Sequence, residues 1–329
     1  MPTTSSLCNL PNVVTRSIFN RVGFKSIQKL RKVCYDLRNH IDDIKPEANL
    51  LSVHIDVTDC KIRFVYYSKI RTLDDICFQV EYEKTVENGR TIVRSEGSEK
   101  IVNGDCMELA SRDLLLILKF QKKSIKITFV NGTEHSSHFL QFLETLSSFL
   151  AFENQLLNVE VFDMNVIDQK SVITALSLID PQSIYSIILS NLKGAMELPE
   201  IMKMDHWKTA KSFESNFIIT GVSLHNFLHF SSCNVVFQSI SVEELLDLKK
   251  IFQNSNEADY FRIECETFVD REQFLEELGP TVMIHNEFGW YFRMSTTADY
   301  VLMIKLKDKL ILFFRTPVYA LPEHAVIQN

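Results

Sequence analysis

The feature that most constrains this chain is a pattern of short amphipathic helices near the N-terminus, over residues 10–41. In its second half, apolar side chains recur at steps of three and four residues and share one helix face: Ile27, Leu30, Cys34, Leu37 and Ile41. Ser26 stands where an N-cap is expected, and Gly23 separates this helix from a shorter one before it. A unit of about 35 residues builds little core alone. We therefore expect it to leave apolar surface for the rest of the chain or for a second protein.

This segment resembles an F-box over residues 7–43. The resemblance is carried by Leu10-Pro11 at its start, by Ile18, and by the run Leu30-Arg31-Lys32-Val33-Cys34, while Leu37 replaces the usual aromatic residue of the last helix. In that family the F-box docks a Skp-type adaptor, which links it to a cullin and to a ubiquitin-conjugating enzyme. The pattern alone also fits an ordinary N-terminal helical hairpin that packs on its own domain.

The resemblance implies an adaptor-binding surface within this segment. We expect five apolar residues to form it: Leu10, Pro11, Ile18, Leu30 and Val33. Cys34, Leu37 and Ile41 are expected to face the core of the helical unit instead. In that position Cys34 would be an inert packing group rather than a nucleophile.

Bulk composition is that of a folded chain with more than one domain. The chain has 329 residues, of which 46% are hydrophobic and 23% are charged. We therefore expect two domains, or three. The formal net charge is −7 and the pI is about 5.8. This acidic balance argues against general nucleic-acid binding, which requires a basic face, and against docking on an anionic membrane.

Neither a membrane-spanning segment nor a secretion signal is recognisable in the sequence. No stretch approaches the ~18 apolar residues of a transmembrane helix, and residues 1–9 are polar and uncharged, without an apolar core. The seven cysteines are odd in number, widely spaced and without a CxxC pair. This usage is typical of free thiols in a reducing compartment rather than of a disulfide framework or a zinc site. These features predict a cytoplasmic protein, with the nucleus as an open alternative.

Residues 50–133 show the period-two alternation of strands and predict a β-rich antiparallel region. Asn88-Gly89 is the strongest hairpin signal in the chain, because both residues tolerate positive φ. Two apolar runs, Leu114–Phe120 and Ile125–Phe129, predict a further hairpin. We expect a small sheet of about six strands.

Residues 135–315 change to short apolar strands that alternate with helices. A helix is predicted at Ser136–Phe152, and Ser241 with Glu244 forms a capping-box sequence ahead of another helix. The strands recur roughly every 20 to 30 residues, as in leucine-rich repeats, but without a strict motif. The predicted fold class is therefore α+β, with a small N-terminal helical unit, a β-rich antiparallel segment and a degenerate leucine-rich-repeat-like α/β C-terminal domain. Residues 316–329 are expected to form a frayed C-terminal tail.

The C-terminal region also resembles a known family. The residues that carry this resemblance are Trp207-Lys208-Thr209-Ala210-Lys211, the run from His225 to Phe230, and the run from Ile240 to Lys249. They are similar to the FTH domain, also catalogued as DUF38, of the nematode F-box A proteins. In that family an F-box precedes this domain, which is the order seen here. The two partial resemblances support each other because they are independent.

Sequence motifs for catalysis are lacking. The nine glycines form no phosphate-binding loop and no nucleophile elbow. His225 and His229 are four residues apart, but Asn226 follows His225 where a zinc protease has its glutamate. We interpret both histidines as structural and expect no metal and no cofactor. Trp207 is expected to pack inward rather than to serve as a ligand platform.

Together the resemblances imply a substrate-recognition subunit of a Skp–cullin–F-box ubiquitin ligase. The F-box would bind the Skp-type adaptor and, through it, a cullin, while the C-terminal domain would bind an unknown target protein. The chain itself would be no enzyme. One alternative is a protein-interaction module outside any ligase, whose N-terminal helices pack on its own β-rich region. A further alternative is an enzyme with a pocket that gathers His225, His229 and a carboxylate.

Overall fold

The structure, a computed structural model, describes residues 7, 10–22, 24–70, 73–85, 89–132, 137–166, 168–191, 194–284 and 287–328. It is an α+β protein. The backbone divides into two compact units, the first formed by Met1–Asp163 with Thr174–Ser183 and the second by Met164–Ile173 with Ile184–Asn329. Among the described residues, no helix has both the length and the apolar character needed to cross a membrane.

Three short helices open the first unit: α1 (Asn12–Arg21), α2 (Phe24–Leu30) and α3 (Tyr35–Ile44). The helical character predicted for this segment is confirmed. Leu37 and Ile41 are buried, as predicted. The apolar face predicted over residues 27–41 is interrupted, however, because the chain turns between α2 and α3.

Two predictions for this segment are wrong. Cys34 is exposed at the N-cap position of α3 and does not face the core. Ser26 lies inside α2 and is not its N-cap. The reason is that residues 31–34 leave the helix, so the rotation of about 100° per residue that the pattern assumed does not continue across them. Gly23 lies outside the described residues.

The sheet of the first unit begins as an antiparallel meander, as predicted. Its strands are β1 (Leu50–Val57), β2 (Lys61–Ile70), β3 (Leu73–Lys84), β4 (Arg90–Ser95) and β5 (Ser98–Asn103). Each of these strands pairs with the next in antiparallel register. Gly89, just before β4, has a φ of 82°, which glycine adopts at no steric cost in a turn. Its predicted partner in the hairpin turn, Asn88, lies outside the described residues.

The segment predicted as a strand at Leu114–Phe120 belongs instead to helix α4 (Cys106–Leu118), so that prediction is wrong. Asp105 caps the helix by accepting hydrogen bonds from the backbone N–H groups of Met107 and Glu108. The buried residues of α4 recur at helical spacing. A short apolar run fits a strand or a helix equally well, and here the N-cap marks the start of a helix.

After α4, strand β6 (Ile125–Asn131) pairs with β1 in parallel register. The prediction of a wholly antiparallel region is wrong for this strand, because α4 carries the chain back across the sheet as a parallel crossover requires. Helix α5 (Ser137–Glu153) follows and confirms the helix predicted at Ser136–Phe152. Its buried residues are Phe139, Phe142, Leu143, Leu146 and Leu150.

Strands and helices alternate from the unit boundary onward, as predicted. The boundary falls within β7 (Val159–Asn165) and α6 (Gln169–Leu176). The next elements are β8 (Ser186–Ser190), β9 (Ala195–Glu197), α7 (Asp205–Thr209), β10 (Ser212–Thr220), β11 (Ser232–Ile240), α8 (Val242–Asn254), β12 (Tyr260–Phe268) and α9 (Arg271–Leu278). In the second unit, β10 pairs in parallel with β8, β9 and β11, and β11 pairs in parallel with β12.

The second unit ends in antiparallel strands: β13 (Val282–Ile284), β14 (Glu287–Arg293), β15 (Tyr300–Lys307) and β16 (Leu310–Pro317). β16 pairs with β12 in antiparallel register and so adds a strand to the sheet that the parallel strands form. The prediction of a frayed tail is wrong, because β17 (Ile327–Gln328) pairs with β14 and Leu321 packs against the cluster of Tyr291, Val301 and Met303. A two-residue strand is too short to leave a periodic signal in the sequence.

Glu244 connects two consecutive helix starts in the second unit. Its carboxylate accepts hydrogen bonds from the backbone N–H and the hydroxyl of Ser241, which completes the predicted capping box of α8. It also accepts hydrogen bonds from the Ser223 hydroxyl at 2.6 Å and from the Leu224 N–H at 2.9 Å, where a 3-10 helix begins. One side chain therefore satisfies polar groups at the starts of two helices.

Replacing Glu244 with alanine should lower the free energy of unfolding by about 1–3 kcal/mol, because donors at both helix starts lose their acceptor. The matched control is Glu243→Ala, which removes an exposed carboxylate from the same first turn of α8. That control should change the free energy of unfolding by no more than about 0.5 kcal/mol. Urea unfolding followed by circular dichroism measures both. Equal effects of the two substitutions would contradict the role assigned to Glu244.

The same carboxylate predicts a pH dependence of stability. Burial alone would raise the pKa of Glu244, but hydrogen bonds from Ser223, Ser241 and Leu224 outweigh burial, so the pKa lies below its ordinary value of 4.5. A depressed pKa in the folded state stabilises the fold above the ordinary value, and this stabilisation is lost as the pH falls through the lowered pKa.

The stability difference between the wild type and Glu244→Gln should therefore be full at neutral pH and shrink once the pH drops below about 4.5. Urea unfolding of both proteins across this acid range measures it. A difference that stays constant with pH would show that the charge of Glu244 contributes nothing.

Candidate functional site

The five residues predicted to bind an adaptor lie at or near the surface of the N-terminal helices. Pro11 is exposed at the start of α1, and Val33 is 69% exposed in the turn between α2 and α3. Leu10, Ile18 and Leu30 are half-buried. None of the five belongs to the buried core, so each presents apolar surface to its surroundings.

Backbone contacts fix the start of α1, where Leu10 and Pro11 lie. Pro11 occupies the N-cap position with a φ of −55°, close to the value that its ring imposes. Its carbonyl accepts hydrogen bonds from the N–H groups of Val14 and Thr15 at 2.9 and 3.1 Å. The Thr15 hydroxyl is buried and donates to the same carbonyl at 3.2 Å. The exposed proline is thus held in a defined position.

Arg31 holds the turn that presents Val33. Its guanidinium donates two hydrogen bonds to the Asp42 carboxylate, at 2.8 and 3.0 Å, and lies 5.4 Å from the centre of the Phe120 ring. The backbone carbonyl of Arg31 accepts a hydrogen bond from the Arg38 guanidinium at 3.0 Å. A bidentate arginine–carboxylate pair has a defined geometry. Val33 is therefore presented on a well-constrained turn.

The buried side of the helices packs on the β-rich region of the same unit. Phe24 of α2 stacks on Phe78 of β3 with ring centroids 5.6 Å apart, and Phe78 stacks on the buried Tyr66 at 4.3 Å. We call these three rings the aromatic anchor. Beside it, Lys25 and Glu96 form an ion pair at 2.6 Å. Helix α2 therefore shares its core with the sheet.

Sequence reasoning missed three further exposed apolar residues on the same helices. Val13 is 82% exposed, Tyr35 is 73% exposed, and Val14 is also exposed. Val13 and Tyr35 do not follow the spacing of three and four residues that the buried residues show. This departure from the spacing is the sequence signal that could have predicted their exposure. Together with Pro11 and Val33, they make the outer side of the helices more apolar than we expected.

His225 and His229 do not form a common site. His225 Nε2 lies 3.1 Å from an Asp247 carboxylate oxygen, whereas His229 Nε2 lies 2.9 Å from the carbonyl oxygen of Trp207. The pocket that would gather both histidines and a carboxylate is therefore not assembled from these groups. Across the described part of the chain, no group of three or more His, Cys, Asp or Glu side chains is arranged to hold a metal ion.

Ser223, His225 and Asp247 contact each other in the order of a catalytic triad. The serine hydroxyl, however, does not donate its hydrogen bond to the histidine. The Ser223 hydroxyl donates to Glu244 and accepts a hydrogen bond from the backbone N–H of His225, as an N-cap does. A serine nucleophile must instead give its proton to the histidine. We interpret these contacts as stabilising the start of the 3-10 helix.

Trp207 packs inward, as predicted. Its buried ring contacts Phe213, Phe227 and Phe230, with centroids 4.8, 5.3 and 4.9 Å apart. Its indole N–H faces the backbone carbonyl of Asn226 at 3.4 Å. Among the residues that carry the FTH resemblance, Trp207, Phe227 and Phe230 are therefore core residues of the second unit, whereas His225, Asn226 and His229 are exposed.

Two buried thiols are poorly suited to nucleophilic chemistry. Burial raises the pKa of Cys233 well above its ordinary value. Burial, with the nearby Asp105 carboxylate, raises the pKa of Cys106 to about 12. Both thiols are therefore protonated at neutral pH, and it is the thiolate that attacks.

Comparison with known proteins agrees with both resemblances. A family model described as the F-box domain matches residues 7–48, and a family model described as the FTH domain matches residues 140–277. Among curated proteins, F-box A protein 224 of Caenorhabditis elegans is 25% identical over 275 residues, which cover 80% of this chain and 67% of that protein. The F-box match contains α1, α2 and α3, and the FTH match runs from α5 to α9.

Removing the aromatic anchor should destabilise the first unit. Phe24→Ala is expected to lower the free energy of unfolding by about 3 kcal/mol, since a buried ring and its stacking contact are lost. The control Tyr35→Ala removes an exposed ring from α3 and should change the free energy of unfolding by less than about 0.5 kcal/mol. Urea unfolding monitored by fluorescence compares the two. A Phe24→Ala protein as stable as the wild type would show that the helices do not depend on the sheet.

Proposed function

Starting from a chain that is an F-box protein, with an F-box domain ahead of an FTH domain, we propose that it is the substrate-recognition subunit of a Skp–cullin–F-box ubiquitin ligase. The F-box, which we place at residues 7–43, binds a Skp-type adaptor and through it a cullin. The FTH domain, which we place at residues 135–315, binds the target protein. The β-rich region at residues 50–133 lies between them in sequence.

The observation that carries this proposal is the division of the N-terminal helices into two sides. Phe24 and Ile27 are buried against their own unit, while Pro11 and Val33 are exposed. Large apolar side chains left exposed on a small helical unit are typical of a surface that a partner covers. The proposed adaptor contact therefore consists of Leu10, Pro11, Ile18, Leu30 and Val33, to which we add the exposed Val13.

In this role the chain acts by proximity and forms or breaks no covalent bond. A scaffold that holds a target beside a charged conjugating enzyme raises the effective concentration of the target's lysine side chains at the thioester, to about the millimolar range for a short tether. His225 pairs with Asp247 and His229 with a backbone carbonyl, so the two histidines do not form a joint site. We place the complex in the cytoplasm or the nucleus.

We propose that the target protein binds to the strand-and-helix repeats of the FTH domain. We interpret these repeats as a degenerate leucine-rich-repeat-like fold. On β10, Phe213 is buried while Glu214 and Asn216 are exposed. Asn234 donates to Glu214 at 3.4 Å and accepts from Arg262 at 3.2 Å, which continues a polar row across β11 and β12. Hydrogen-bonded rows of this kind are ordered before binding, and that favours specific recognition.

A second candidate function is a protein-interaction module outside any ligase. The observation in its favour is the aromatic anchor, because that hypothesis requires the N-terminal helices to pack on the β-rich region. The two candidates differ over the opposite side of the helices. Docking of an adaptor needs Pro11 and Val33 to be accessible, and an internal hairpin does not. Their exposure favours the ligase subunit.

The test is binding of the full-length chain to a purified Skp-type adaptor, measured by isothermal titration calorimetry. Val33→Asp places a charge in the proposed apolar contact and should weaken the affinity by at least about tenfold, or 1.4 kcal/mol. Because Val33 is exposed, the same substitution should leave the free energy of unfolding within about 0.5 kcal/mol of wild type.

The matched control is Val326→Asp, the same substitution at an exposed valine of the other unit. It should bind the adaptor with wild-type affinity. A folded wild-type chain that binds no adaptor would rule out the ligase subunit. Wild-type affinity in Val33→Asp would refute the proposed contact residues.

A further inference from the structure

The N-terminal helices differ in charge from the rest of the chain. Residues 10–35 contain six Lys or Arg and no Asp or Glu, although the formal net charge of the chain is −7. Residues 1–163 as a whole are balanced, with 21 basic and 21 acidic residues, while residues 164–329 have 14 basic and 21 acidic residues. Outside the cationic segment, residues 1–163 have 15 basic and 21 acidic residues, so the segment is a local feature in an otherwise acidic half of the sequence.

Two of the six cations are occupied by the fold. Arg31 donates two hydrogen bonds to Asp42 and a third to Gln28, and only 12% of its side chain is exposed. Lys25 pairs with Glu96 at 2.6 Å beside the aromatic anchor. Each of these two positive charges therefore already faces a carboxylate of the first unit.

The other four cations are exposed. Arg16 and Arg21 lie on α1 and Lys32 lies in the turn before α3, and no described carboxylate forms an ion pair with any of them. Lys29 is 68% exposed and lies 3.9 Å from Glu96, at the outer limit of an ion pair. We call these four residues the basic rim.

The basic rim borders the proposed adaptor contact. Lys32 precedes Val33 directly in the turn. Arg16 follows the exposed Val13 by three residues on α1, which places both on one side of that helix. Cations and exposed apolar side chains therefore share the outer side of the helices. A partner that covers the apolar residues must also bring groups close to the cations.

Resting on the proposed function, we propose that the basic rim docks a carboxylate-rich face of the Skp-type adaptor and steers its approach. Uncompensated like charges on one surface repel each other, and a complementary anionic face removes that repulsion. Exposed apolar residues lie among the cations, and the rest of the chain is acidic, with 29 basic and 42 acidic residues. Both features favour a protein over a nucleic acid as the partner. Apolar contacts then govern dissociation, while the rim governs association.

The experiment measures association and dissociation rates of the full-length chain with the adaptor by stopped-flow fluorescence at low and high NaCl concentration. The wild-type association rate should fall about tenfold between about 0.05 and 0.5 M salt, because screening removes the steering. The variant R16E/R21E/K32E should associate at least about tenfold more slowly at low salt and lose most of the salt dependence. Its dissociation rate should stay within about threefold of wild type.

The matched control is K119E/K122E/K123E, which makes the same change in net charge at three exposed lysines of the first unit outside the F-box. It should keep the wild-type salt dependence. If circular dichroism shows that the charge-reversal variant does not fold, the neutral variant R16Q/R21Q/K32Q replaces it. The association rate of the neutral variant should lie between those of the wild type and the charge reversal.

Adaptor binding with a salt-independent association rate, or equal behaviour of the rim variant and the control, would overturn this proposal and leave the ligase subunit standing. Absence of adaptor binding by the wild type would instead refute the ligase subunit itself. A further arm measures binding of a single-stranded RNA of 20 nucleotides. RNA binding that is lost in the rim variant, with unchanged adaptor rates, would assign the rim to nucleic acid and overturn the proposal as well.

Discussion

The aromatic anchor is the contact on which the N-terminal part of the molecule depends. Phe24 stacks on Phe78, and Phe78 stacks on Tyr66 inside the sheet. A helical unit of this size buries too little apolar surface to be stable alone, so it shares the core of the β-rich region. This contact buries Phe24 of α2 against the sheet, while Pro11 and Val33 remain exposed.

The polar groups described above differ in whether they have partners inside the protein. Arg31 donates hydrogen bonds to Asp42. Glu244 accepts hydrogen bonds from groups at two helix starts. The basic rim has no such internal partners among Arg16, Arg21 and Lys32. The candidate interaction surface combines exposed apolar side chains with three cations, Arg16, Arg21 and Lys32, that form no ion pair with a described carboxylate.

Sequence periodicity predicted much of the fold, and its errors have physical causes. Helix α5 and the strands around β10 to β12 followed from spacing alone, because their burial is regular. The prediction of a strand at Leu114–Phe120 was wrong because a short apolar run fits both the strand period and the helix period. The prediction that Cys34 faces the core was wrong because a turn, held by the Arg31–Asp42 pair, interrupts the helix. The candidate site residues came from the F-box resemblance, whereas the packing of α2 on the sheet rests on the contact of Phe24 with Phe78, which no local pattern could reveal.

The shared core also links the stability of the sheet to whatever binds the helices. Because α2 and the β-rich region pack as one structure, a partner that binds only the folded helices stabilises the whole unit by RT ln(1 + [L]/Kd). With free partner at a hundredfold excess over Kd, this gain is about 2.7 kcal/mol. A protein built in this way unfolds more readily when its partner is scarce. Its abundance would therefore follow that of the partner through mass action and proteolysis, without a dedicated regulator.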